Sequence, residues 1–288
     1  TAYEIVDCDW SSDVCSSDLF VRNATEGTSI IASGLELRAG DEVIFESHAH
    51  PGGSFVWFHR AQRRGVVVKL FDPDPESPEA NVAKIRALMT ARTRVVQVSH
   101  VTAPTGVLMP VAAIAQLCRE RGVWFHIDAA QSVGMVPFFL GAIGCDSCAM
   151  SGHKWLGAPF ETGVLYLRRD RLEAVTPLLV GSYSGELDYL PGEFKLVDSA
   201  IRFEYGTRNV AAMLGLVEAM RLQGGMASVV MPNLPPLKTG LSPKAHIEQL
   251  AALLADGSKT GPIEADSAVS QSTAPTNARG ARANWPPS

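Results

Sequence analysis

An alternation constrains this chain more than any other feature. Short apolar runs recur at Val43–Phe45, Val66–Leu70, Val95–Val98, Val123–Ile127, Cys145–Met150 and Gly163–Leu167. Stretches of helical character separate the earlier ones. Thr28–Leu37 carries Ile30, Ile31 and Leu35, Pro51–Gly65 reads as loop and helix, Asn81–Thr90 carries Val82, Ile85 and Leu88, and Val111–Arg121 follows. A short apolar run with no polar face suits a strand covered on both sides. Strands alternating with helices build a parallel sheet. The expectation is therefore an α/β fold with three layers, α/β/α, and a mostly parallel sheet. Ala39-Gly40-Asp41-Glu42 and Pro73–Pro78 supply turn and loop between elements.

The two ends break this pattern. Asp9–Leu19 reads DWSSDVCSSDL, has neither period, and matches the translation of a sequencing-library adapter. Residues 1–19 are accordingly read as artefactual, with the natural N-terminus missing and Cys15 without functional meaning. Residues 20–223 form the expected large domain. Beyond Gln223, Pro232-Asn233-Leu234-Pro235-Pro236 interrupts any helix, and His246–Leu254 is an isolated amphipathic stretch. Gly257–Ser288 is rich in Ser, Thr, Ala, Pro and Gly, a composition that cannot bury enough surface to order itself. Residues 224–288 are thus expected to be a low-complexity tail, disordered or frameshifted.

The 288 residues are 46% apolar and carry a net charge of −5, which argues against nucleic-acid or anionic-membrane partners. No apolar run approaches the roughly 18 residues of a membrane span. Five cysteines without framework spacing suit a reducing cytosol, so the expected location is cytoplasmic. Cys145 and Cys148 form a C-x-x-C, but no second pair accompanies them, and core thiols are the simpler reading.

Chemistry concentrates at two places. Phe125-His126-Ile127 ends in Asp128, which leaves the carboxyl end of a strand, where open α/β sheets bind ligands. Downstream, Ser151-Gly152-His153-Lys154-Trp155 places a lysine just after a small-residue turn. Together these are what pyridoxal 5'-phosphate (PLP) requires. A lysine amine forms the Schiff base, and a buried carboxylate keeps the pyridine nitrogen protonated. Lys154 and Asp128 take those roles, against the alternatives of a surface lysine and a helix N-cap. Gln131 can donate to the phenolic oxygen or be a solvated loop amide. Ser151 and His153 can bond the phosphate. Thr25 opens a helix whose N–H groups and dipole favour an anion, or it is a plain N-cap. Among His48, His50 and His59, His50 before Pro51-Gly52-Gly53 is preferred to stack on the pyridine ring. No carboxylate or cysteine spacing supports a metal site.

From Phe20 to about Leu222 the chain resembles the class V aminotransferases of PLP fold type I, in the branch of isopenicillin N epimerase-like proteins, cysteine desulfurases and selenocysteine lyases. NATEG, GDEVIFESHAHPGG, QVSHVTAPTGVLMPV, FHIDAAQSVG, CDSCAMSGHKWLGAPFETGVLYL and RFEYGTRN carry the resemblance. It implies Lys154 as the Schiff-base lysine, Asp128 at the pyridine nitrogen and Gln131 at the phenolic oxygen. It also implies Thr25, Ser151 and His153 at the phosphate, and His50 as the stacking histidine. Thr207 in Gly206-Thr207-Arg208-Asn209 matches a residue reaching the phosphate of the neighbouring subunit of a homodimer. Gly40-Asp41 and Thr105-Gly106 match structural turns. The family's small C-terminal domain, which holds the substrate-carboxylate arginine and any nucleophilic cysteine, has no match after Gln223 and reads as missing or corrupted. Arg279 and Arg282 lie in the tail, and no cysteine follows Cys148.

The expected activity is that of a PLP-dependent enzyme acting on a small amino-acid substrate, with epimerase, lyase and transaminase unresolved. The alternatives are a catalytically incomplete fragment that binds PLP without turnover, and a cysteine desulfurase or selenocysteine lyase.

Overall fold

The computed structural model describes residues 18–136 and 140–227. The readings of residues 1–17 and of the tail from 228 onward, including His246–Leu254, lie outside the described residues.

Seven strands form the main sheet, in the order β1-β7-β6-β5-β4-β2-β3. They are β1 (Asp18–Val21), β2 (Glu42–Glu46), β3 (Val67–Phe71), β4 (Thr93–Ser99), β5 (Trp124–Asp128), β6 (Ser147–Ser151) and β7 (Gly163–Leu167). β6, β5, β4, β2 and β3 pair in parallel, while β7 is antiparallel to both β6 and β1. The helices are α1 (Ala24–Gly34), α2 (Pro51–Arg64), α3 (Pro78–Leu88), α4 (Val111–Arg121), α5 (Leu140–Ile143) and α6 (Val210–Ala227). A two-stranded hairpin, β8 (Gly185–Asp188) with β9 (Glu193–Leu196), stands apart from the sheet.

Strand alternation sorts the core into two layers. Val43, Phe45, Val95 and Trp124 pack with Ile31 of α1 and Trp57 of α2. Ile44, Val96, Val98, Phe125 and Ile127 face the other way, onto Ile85, Ile114 and Leu117 of α3 and α4, and Leu216 of α6. The sheet is thus covered on both faces, as the apolar runs require. Cys145 and Cys148 are fully buried in the second layer, which accounts for the C-x-x-C as core packing. Between them, Asp146 accepts the backbone N–H of Phe125 at 2.8 Å and pairs with Arg171 at 2.9 Å and Arg168 at 3.2 Å.

Two of the boundaries that differ from the sequence expectation bear on the site. β1 starts at Asp18, inside the segment read as artefactual, and Leu19 is buried in the core with Leu165 of β7. α1 starts at Ala24 rather than Thr28. The Asn23 side chain accepts the Glu26 N–H at 2.9 Å, and the Ser151 hydroxyl accepts the Ala24 N–H at 3.0 Å. With two of its first N–H groups satisfied, the helix begins earlier than its apolar residues suggest. Among the described residues, no helix is long and apolar enough to cross a membrane.

Candidate active site

The strands of the parallel core end together, and the order of connections reverses between β2 and β4, because β3 lies on one side of β2 and β5 and β6 lie beyond β4. A sheet of this kind opens a crevice at the carboxyl ends of its strands, near that reversal. Glu46, Ser99, Asp128 and Ser151 terminate β2, β4, β5 and β6 there.

Asp128 is buried, 6% exposed, and in register with Ser99 on one side and Ala149 on the other. Its Oδ1 accepts the Ala130 N–H at 3.0 Å. Burial raises its pKa, while the Ala130 N–H pulls the other way. Gly53, in the first turn of the helix that His50 caps, leaves no room for a Cβ against Asp128 Oδ2. Among the described residues the Asp128 carboxylate forms no ion pair, and since a buried unpaired carboxylate is expensive, it calls for a cationic group in the crevice. Glu46, two strands along the edge from Asp128 and beyond Ser99, is completely buried. Its Oε1 accepts the Ser99 N–H at 2.9 Å, and burial, reinforced by the negative charge of Asp128, pushes it up to about 7.

His50 caps α2: its Nδ1 accepts the Gly52 N–H at 3.0 Å. That bond assigns the ring proton to Nε2 and fixes the ring plane. The glycines that follow permit a close approach. A Cβ on Gly53 would stand 2.7 Å from Asp128 Oδ2, and one on Gly52 would collide with Thr25 Oγ1 and lie 3.0 Å from His50 Nδ1. The first turn of α2 is therefore pressed against Asp128 on one side and the start of α1 on the other. His48 is engaged elsewhere, with Thr105 Oγ1 at 2.9 Å and Asp72 at 3.4 Å, and His59 is exposed. Of the three histidines, His50 is the one that caps the turn packed against Asp128. Among the described residues, no group of three or more His, Cys, Asp or Glu side chains could hold a metal ion.

Lys154 lies in a closed turn. Gly152 N–H donates to Thr162 O at 2.7 Å, Ala158 N–H to Gly152 O at 3.0 Å, and Gly157 N–H to Lys154 O at 3.1 Å. The loop after β5 locks onto this turn, for Gly134 (φ 84°) leaves only enough room for a hydrogen against the backbone of Trp155 and Leu156. Gln131 of the same loop accepts the Trp155 indole N–H at 2.9 Å. Trp155 was not singled out from the sequence.

A phosphate site would have to supply donors, and three sources converge. Ser151 is buried and its hydroxyl, while accepting from Ala24, retains a proton to donate. His153 Nδ1 is buried with no protein partner. Thr25 is exposed in the first turn of α1 rather than being its cap, which is Asn23. An orphaned imidazole nitrogen, a helix N-terminus and a buried carboxylate short of a cation fit PLP in both charge and donor set. Thr25 also lines a cleft of about 430 Å³ with Arg22, Glu161, Leu178, Phe203 and Tyr205. Glu161 holds φ 60° there. Thr207 is exposed just before α6, and among the described residues no hydrogen bond joins it to the Lys154 turn.

The comparisons with known proteins agree with this geometry. The family model described as aminotransferase class V matches residues 15–230. A probable cysteine desulfurase of Methanothermobacter thermautotrophicus is 34% identical over 203 residues, covering 70% of this chain and 50% of that protein. An isopenicillin N epimerase of Amycolatopsis lactamdurans is 30% identical over 217 residues, covering 72% and 54%. A solved structure of the C-DES lyase, a variant lacking a lysine and carrying glycine covalently linked to its PLP cofactor, superposes with a TM-score of 0.68 at 27% identity. It covers 78% of this chain and 59% of its own. The chain spans about half the length of the curated relatives it matches. PLP is the cofactor that these likenesses indicate. The order of the strands, the lysine turn beside Asp128 and the extent of the family match lead to one conclusion: this chain belongs to the class V aminotransferase family.

Proposed function

We propose that this chain is the cofactor-binding core of an enzyme that acts on a small amino acid through a Schiff base at Lys154. The observation that carries the reading is the buried Asp128 at the carboxyl edge of the sheet, with the helix turn that His50 caps pressed against its Oδ2 and the Lys154 turn locked onto the loop that follows it. Bound PLP would supply an electron sink for a bond broken at the substrate α-carbon. Asp128 would hold a positive charge at the pyridine nitrogen, since among the described residues its buried carboxylate forms no ion pair. His50, its ring fixed by the Gly52 N–H, stacks on the cofactor face. Gln131 donates to the phenolic oxygen. Ser151, His153 and Thr25 would hold the phosphate. Lys154 Nζ would hold PLP and would be the base that moves the substrate α-proton. The active unit in this reading is a homodimer in the cytoplasm, with Thr207 reaching the neighbouring site. The exposed apolar side chains of Leu178, Tyr189 and Leu190 support an interface beside the hairpin, and the free thiol of Cys118 suits a reducing compartment.

The likeness to cysteine desulfurases favours a second reading, C–S or C–Se bond cleavage. The described cysteines do not supply its nucleophile. Cys118, Cys145 and Cys148 are all buried, and burial pushes the Cys118 thiol up to about 12. A third reading is a core that binds PLP without turnover. Incubating the PLP-loaded chain with L-cysteine, with other L-amino acids and with their D-enantiomers separates them. Sulfide release supports the lyase reading, α-proton exchange with solvent deuterium supports the proposal, and neither, with PLP bound, supports the incomplete core.

A further inference from the structure

The bond between Trp155 and Gln131 has a polarity that cannot be reversed. An indole N–H only donates, so the atom of Gln131 facing it at 2.9 Å must be the amide oxygen. The remaining end of Gln131 is then its NH₂ group, which only donates. Without such a partner, a glutamine amide can turn over and present either end. Trp155 is itself held, because Gln223 of α6 donates to its backbone carbonyl at 2.8 Å and Gly134 packs against its peptide. Trp155 also directly follows Lys154, so the same turn that sets the lysine sets the indole.

We infer that Trp155 is a positioning residue, which locks Gln131 with its donor end toward an anionic oxygen of the cofactor and thereby couples that contact to the lysine turn. The inference rests on the proposed function and deepens it, since it requires Gln131 to meet the phenolic oxygen. An oxygen bearing negative charge is matched by an NH₂ and opposed by a carbonyl, so orientation decides the sign of the contact. Trp155→Phe keeps an aromatic ring at this half-exposed position and deletes the donor.

The test uses the full chain and PLP itself. PLP affinity and the pH midpoint of the visible absorbance of bound PLP are measured for the unaltered chain, Trp155→Phe, Gln131→Met and the double variant. Trp155→Phe should weaken PLP binding about fivefold, the worth of one oriented hydrogen bond, and move the midpoint in the same direction as Gln131→Met. In the Gln131→Met background, Trp155→Phe should add less than about twofold, because the amide it orients is gone. A Trp155→Phe variant that matches the unaltered chain while Gln131→Met is shifted would overturn the inference, and so would additive effects. If Gln131→Met changes nothing while binding still depends on Lys154, the inference fails and the proposed function stands. If the unaltered chain takes up no PLP, both fail together.

Discussion

Gly53→Ala is a test in which fold and site should respond unequally. Gly53 is in the first turn of α2, and its added Cβ would lie 2.7 Å from Asp128 Oδ2. Ordinary contact begins at 3.4 Å, so the carboxylate must retreat by 3.4 − 2.7, about 0.7 Å. It cannot do so freely, because Oδ1 is tied to the Ala130 N–H at 3.0 Å, and a retreat of that size stretches the bond beyond its useful range. The loss of a hydrogen bond to a charged group is worth ~2 kcal/mol, and alanine returns ~1 kcal/mol of helix propensity. The cofactor-free chain should therefore lose only ~1 kcal/mol. PLP binding should suffer more, since the displaced carboxylate no longer meets the pyridine nitrogen. Losing most of a charge-assisted bond corresponds to affinity lower by about 10- to 100-fold. Urea unfolding of the cofactor-free chain and a PLP titration followed by absorbance measure the two effects. Affinity within twofold of the unaltered chain, together with a stability gain, would refute the claim that Gly53 and Asp128 meet at the cofactor site.

Acid should loosen the fold before its surface carboxylates titrate. Burial lowers His126 to about 3 and His100 to about 4, from the ordinary 6.5. Their folded pKa values are depressed, so the stability they contribute is complete above 6.5 and is lost as pH falls toward 3–4. At pH 5 each should cost about 2 kcal/mol, because the unfolded chain binds the proton and the fold does not. Urea midpoints at pH 7.5 and pH 5 check this, and equal midpoints would contradict it. Asp146→Asn should remove ~2 kcal/mol, discounted because Arg168 and Arg171 are 30% and 43% exposed and can turn to water. A fall in Tm of about 4–8 °C is expected, with PLP affinity unchanged.

How far the fold could be read in advance follows from where burial leaves a mark on sequence. The parallel strands were legible because burial on both faces demands unbroken apolar runs, and Val111–Arg121 and Gly163–Leu167 coincide with observed elements. β8 and β9 left no such mark. Most of their residues are exposed, so neither alternation nor an apolar run was imposed. The start of α1 was hidden for another reason: Ser151, 127 residues away, accepts the Ala24 N–H. Lys154 and Asp128 stood out at the site because a lysine turn and a strand-ending aspartate are chemically conspicuous. Trp155 and Glu46 did not, since a tryptophan in a loop and a glutamate closing a strand acquire meaning only from Gln131 and Ser99, which the fold brings to them.

The central claim is that Lys154 is the residue that holds PLP. Reduction of the PLP-loaded chain with borohydride fixes any lysine–PLP bond, and peptide mass spectrometry locates it. The account predicts one modified peptide, the one containing Lys154, and the loss of both that modification and the visible absorbance in Lys154→Ala. A modification at a different lysine, or an unchanged spectrum in Lys154→Ala, would contradict it.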